Sequence, residues 1–97
     1  MCGRMEYMGV KQDAIDPVLC GNIAREFIDE YGRARKVFAR NWTSPHEGYG
    51  VILEEVDEFW NEIKSNNLVD ARHEAVQVGA MILRFIVECC DDTERTP

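Results

Sequence analysis

The sequence predicts an all-α chain. Apolar residues recur at three- and four-residue steps through most of it. Each periodic stretch opens on residues that cap helices, and no stretch alternates with the period of a strand. The 97 residues make a single domain, 1–97, without internal repeat or low-complexity segment. A hydrophobic content of 45% with 30% charged residues is ordinary for a folded protein.

Residues 1–15 carry weak signals and read as an irregular arm, with Gly3 and Gly9 among scattered apolar residues. Asp16 then supplies an N-cap and Pro17 a first-turn residue. Ile23, Phe27, Tyr31, Ala34 and Phe38 form a stripe over residues 17–40, which predicts a long first helix interrupted in character only by Gly32. Arg33, Arg35, Lys36 and Arg40 make its second half basic in an acidic chain. That is either favourable charge at a helix C-terminus or an edge that faces phosphate.

A short connector through Trp42 leads to the second helix, 45–64. Ser44 is its N-cap, Pro45 its first residue and Glu47 its capping-box partner. With Glu54 at zero and steps of about 100°, Glu54, Glu55 and Glu58 share one face at roughly 0°, 100° and 40°. Tyr49, Ile52, Val56, Phe59 and Ile63 lie opposite, at about 140° to 220°, and are expected to face the core. The acidic face either stands solvated or takes a cation. Crowded carboxylates repel one another, and carboxylate oxygens with room for water and phosphate are what Mg²⁺ prefers.

Ser65, Asn66 and Asn67 make a turn, and Asn67 caps a third helix over 68–90. This helix is apolar round most of its circumference, with Asp70, His73, Gln77, Arg84 and Glu88 in a narrow arc and Glu74 at its border. Such a helix is central, and its surplus apolar surface is expected to meet another subunit. Gly79 and Ala80 permit close helix approach. Residues 91–97, DDTERTP, read as a disordered tail.

The net charge of −7 argues against binding a nucleic-acid polymer, and any handling of phosphate would need divalent cations. The four cysteines form no C-x-x-C pair and no zinc spacing with the two histidines. The N-terminus lacks an apolar signal core and no apolar run reaches membrane-spanning length, so a reduced, cytoplasmic setting without a membrane partner is expected.

The second and third helices should pack antiparallel across the short turn. At about 1.5 Å per residue, Glu58 and Glu74 then sit at nearly the same height. Carboxylates converging from two helices call for cations between them. Trp42 and Trp60 could stack on a base, although buried packing is the better reading for Trp60. Asn61 lies beside Glu54 and Glu58 on the wheel and could touch a ligand. Lys64, Arg72 and Arg84 are candidate phosphate contacts, or partners for nearby acids.

The motif Glu54-Glu55-Val56-Asp57-Glu58, followed by Glu74-Ala75-Val76-Gln77 on the next helix, resembles the paired E-E-x-x-E and E-x-x-D motifs of the MazG-like all-α nucleoside triphosphate pyrophosphohydrolases. The resemblance covers residues 44–88. It implies a helical hairpin plus a long N-terminal helix, assembled into a homodimer or homotetramer of four-helix-bundle type. It implies Mg²⁺-dependent hydrolysis (Mn²⁺ being the other ion suited) of a nucleoside triphosphate to monophosphate and pyrophosphate, in nucleotide house-cleaning. Glu54, Glu55, Glu58 and Glu74 would be catalytic and metal-binding, with Asn61, Lys64, Arg84 and Trp42 near substrate. Gln77 departs from the pattern, since an amide brings no charge, and Asp70 could compensate as a ligand. A weakened relative that binds nucleotide or a protein partner without turnover is the alternative.

Overall fold

The computed structural model describes residues 15–90. They form three helices, α1 (Pro17–Val37), α2 (Pro45–Lys64) and α3 (Leu68–Cys89), and no strand occurs among the described residues. The expected arm, apart from Ile15, and the expected tail lie outside the described residues.

The caps account for the helix starts. The Asp16 side chain accepts from the Val18 and Leu19 amides, Ser44 Oγ from the Glu47 amide, and Asn67 from the Asp70 amide. One detail departs from the expected capping box. The Glu47 carboxylate reaches past Ser44 to accept from the Thr43 backbone N–H at 2.7 Å and the Thr43 hydroxyl at 3.0 Å. Arg40, 2.7 Å from the same carboxylate, draws it towards the connector.

Helix α1 ends at Val37, not Arg40. Phe38 is its extended C-cap, and the chain turns in to seat Trp42, which is only 7% exposed. Three bonds fix that turn: Arg84 donates to the Arg40 carbonyl at 3.0 Å, Arg35 to the Asn41 side chain at 2.6 Å, and the Trp42 amide to Glu88 at 2.8 Å. The α2–α3 turn closes as a Schellman motif. The Asn67 amide donates to the Glu62 carbonyl and the Asn66 amide to the Ile63 carbonyl, both at 3.0 Å, with Asn66 at φ 61°. Asparagine is among the few residues that tolerate that left-handed conformation.

Helix α3 is central, since α1 and α2 both pack on it and scarcely on each other. Helices α2 and α3 run antiparallel: Gly48 lies against Phe85, and the Glu55–Glu58 turn lies by Glu74. Helix α1 crosses α3 in the same sense, with Glu26 beside Arg72, Phe27 on Gly79 and Tyr31 beside Glu88. The core is thin. Among the described residues its buried apolar side chains are Trp42, Ala71, Ala80 and Met81, and Ala80 alone is fully enclosed. Gly79 lets Phe27 lie flat on α3, and a Cβ there would stand 2.6 Å from the ring. A Cβ at Gly48 would stand 2.6 Å from the Trp42 ring.

Four apolar assignments need correction. Trp60, expected in the core, is 53% exposed, and Tyr49, Val56 and Ile63 are exposed as well. The face of α2 that meets α3 is rotated towards Val51, Ile52 and Phe59, because the backbone comes closest where Gly48 admits the Trp42 ring.

Candidate functional site

The hairpin brings together three of the four glutamates singled out in the sequence. One carboxylate oxygen from each of Glu55, Glu58 and Glu74 lies within 4.8 Å of the other two. This is close enough for the three to share a single cation. Burial pushes the Glu55 carboxyl above the usual range, and Glu58 and Glu74 add to the rise. Burial also raises Glu74, with Glu58 adding and His73 opposing. Glu74 Oε1 is buried and has no hydrogen-bond partner. An orphaned acceptor in an acidic cluster is costly unless a proton or a cation meets it.

Beside the cluster lies a groove of about 590 Å³ between α1 and α2, floored by α3. Helix α1 and the connector supply Glu30, Arg33, Val37, Phe38 and Arg40, α2 supplies Glu47, Val51, Glu54 and Glu55, and α3 supplies Gln77, Met81 and Arg84. Glu55 thus belongs to both cluster and groove. Glu54 stays out of the cluster and lines the groove. The groove carries Glu47, Glu54 and Glu55 on its α2 wall and Glu30, Arg33 and Arg40 opposite. Arg33 pairs with Glu30, and Arg40 with Glu47. Arg40 and the Thr43 amide hold the Glu47 carboxyl down at about 2, so it stays ionised.

The remaining sequence candidates divide. Gln77 lines the groove one turn beyond Glu74. Asp70 is engaged elsewhere: its carboxylate accepts from the Asn67 side chain at 2.7 Å, closing the cap of α3. Asn61 and Lys64 do not line the groove, and the Lys64 ammonium lies 5.7 Å from the centre of the exposed Trp60 ring. Trp42 lines the groove but offers no open face to a base. The Arg84 guanidinium lies 4.5 Å from its ring centre, and Gly48 meets its edge. Arg72 pairs with Glu26 at 2.7 Å.

Sequence reading missed the hub that holds this wall in place. The Glu88 side chain is 1% exposed and accepts from the Trp42 amide, Tyr31 hydroxyl, Arg35 and Arg84. Burial opposes its charge, but the Trp42 amide, the Tyr31 hydroxyl and Arg84 outweigh the penalty and hold its carboxyl below the usual range. Arg84, offered as a phosphate contact, is spent largely on this hub and is 4% exposed. The available signal was the spacing of Arg84 and Glu88, one helical turn apart on an otherwise apolar helix.

No family model, curated protein or solved structure matches this chain.

Proposed function

We propose that the chain hydrolyses a nucleoside triphosphate to the monophosphate and pyrophosphate with the help of Mg²⁺ or Mn²⁺. The observation that carries this reading is the convergence of Glu55, Glu58 and Glu74, with an orphaned buried oxygen on Glu74, at the edge of a groove that also holds Arg33 and Arg40. The donor set fits the ion: hard carboxylate oxygens, three in number, leaving positions for water and phosphate. When bound, the cation supplies charge neutralisation and a more acidic water. Glu55, Glu58 and Glu74 would hold it. Glu54, outside the cluster but beside Glu55 in the groove, would accept the proton of a water that attacks the α-phosphorus while the bond to pyrophosphate breaks. Arg33, on the opposite wall, would orient the phosphates.

The resemblance to the MazG-like enzymes supports the same reading, and the homodimeric or homotetrameric assembly and cytoplasmic house-cleaning role belong to it. No described helix is long and apolar enough to cross a membrane. One observation favours a second reading. Gln77 puts an uncharged amide in the groove where the resemblance calls for a carboxylate, and Asp70 is committed to capping. A chain so altered would bind nucleotide and turn it over poorly or not at all.

The deciding experiment is pyrophosphate release from a panel of canonical and modified nucleoside triphosphates, with Mg²⁺ and with chelator, for wild type and Glu55→Gln. Metal-dependent release lost in the variant supports the enzyme. Folded protein that binds Mg²⁺ and nucleotide but releases nothing moves the assignment to the binding module.

A further inference from the structure

Helix α3 floors the groove with Gln77, Met81 and Arg84. Arg84 is spent on Glu88 and the Arg40 carbonyl, Arg33 on Glu30, and Arg40 on Glu47. The arginines of the groove are therefore all paired within the chain. Gln77 differs. It is half-buried, and its side chain makes no hydrogen bond among the described residues. It also borders a second cavity of about 490 Å³ between α1 and α3, so its amide is open to both spaces. A carboxamide carries two N–H donors and an acceptor oxygen. Partly buried and without partners, such a group costs free energy that a ligand would return.

Gln77 follows Glu74 by three residues, on the same face of α3. A carboxylate at this position would add a fourth acid to Glu55, Glu58 and Glu74. It would repel a phosphate and could meet one only through another cation. An amide needs no such bridge. Its N–H donates directly to an ionised phosphate oxygen, and a hydrogen bond to a charged acceptor is among the stronger kind. The three glutamates are already close enough to share a single ion. We infer that Gln77 is a substrate contact and not a lost metal ligand. Its side-chain amide donates to a non-bridging phosphate oxygen of the bound nucleotide, beside one divalent cation held by Glu55, Glu58 and Glu74. The inference rests on the nucleotide reading above, but not on turnover. It gives the departure from the acidic motif a positive role: the site gives up one charge and gains a donor that reads the substrate.

The test is calorimetric titration of the full chain with nucleoside triphosphate analogues in which a methylene group replaces the oxygen between the α- and β-phosphorus. It is run in Mg²⁺ for wild type, Gln77→Ala and Gln77→Asp. The melting temperature with and without Mg²⁺ alone is measured beside it. Gln77→Ala should weaken analogue binding roughly tenfold, as for one hydrogen bond to a charged group. It should leave the Mg²⁺-induced rise in melting temperature unchanged, which separates a lost substrate contact from a damaged metal site. Alanine suits a helix, so the variant should fold. Gln77→Asp should weaken the analogue at least as much and keep the Mg²⁺ response. Tighter binding or faster pyrophosphate release in Gln77→Asp than in wild type overturns the inference and makes Gln77 a lost ligand. Unchanged analogue binding in Gln77→Ala also overturns it. Wild type that binds the analogue through Gln77 but releases no pyrophosphate from true triphosphates upholds the inference and sinks hydrolysis. Wild type that binds no analogue sinks both.

Discussion

Glu58 of α2 and Glu74 of α3 each place a carboxylate oxygen within 4.8 Å of the other, across a hairpin whose turn they flank. The hairpin therefore holds like charges together, and the fold bears the repulsion until a cation relieves it. Burial and like charge raise the Glu74 carboxyl, so its protonated form is favoured in the folded state. The stabilising contribution of that proton is complete below the ordinary carboxylate range and is lost as pH rises through the raised value. Metal-free protein should lose part of its stability across that window, and Glu74→Gln should flatten the loss and gain about 1 kcal/mol at neutral pH. Mg²⁺ should raise the melting temperature of wild type and leave Glu74→Gln unmoved. Melting curves against pH, with and without Mg²⁺, check both.

Glu54 and Glu55 are neighbours with different surroundings, and their variants should separate. Glu55→Gln should abolish the Mg²⁺-induced rise in melting temperature. Glu54→Gln should keep that rise and lose roughly 10²–10⁴-fold in kcat if it takes the proton. Parallel binding and turnover measurements distinguish the two. Equal loss of metal binding in both would remove Glu54 from the role of base.

Glu88 shows the opposite behaviour to Glu74. Its carboxyl is held low by the Trp42 amide, Tyr31 and Arg84, so its contribution is present above the ordinary carboxylate value and lost as pH falls through the lowered one. Glu88→Gln breaks a buried network and should cost about 3 kcal/mol, most visibly near neutral pH. Denaturant unfolding of wild type and variant at two pH values measures it.

The glycines should divide by surroundings. A Cβ at Gly79 would meet the Phe27 ring at 2.6 Å, so Gly79→Ala should destabilise by about 2 kcal/mol as α1 is pushed off α3. A Cβ at Gly32 meets nothing within 4 Å, and Gly32→Ala should stabilise by about 0.5–1 kcal/mol. Paired unfolding curves give both signs in one experiment.

The helices were legible in the sequence because the signals that set them are local. Asp16, Ser44 and Asn67 each cap where expected, and the turn after Lys64 placed Glu58 opposite Glu74 by arithmetic on the helical rise. What a wheel could not supply was the rotation of α2 on α3. That rotation follows from the meeting of Gly48 with Trp42, residues from different elements, and it decides that Trp60 faces outward. The end of α1 was missed for a related reason. Arg40 fits a helix well, but Glu88, far along the chain, binds the Trp42 amide and draws the connector inward. Asp70 was misjudged because a cap and a metal ligand ask for the same side chain, and only the Asn67 contact tells them apart.

The footing of α1 has a kinetic consequence. The ties of α1 and the connector to the rest concentrate at the Phe27 ring on Gly79, the Glu26–Arg72 pair and the Glu88 hub. The α2–α3 hairpin is local in sequence and closes through a short turn. In native-state hydrogen exchange α1 should therefore open as its own unit, ahead of the hairpin. Because α1 is also one wall of the groove, each such opening would take that wall away without disturbing the three glutamates.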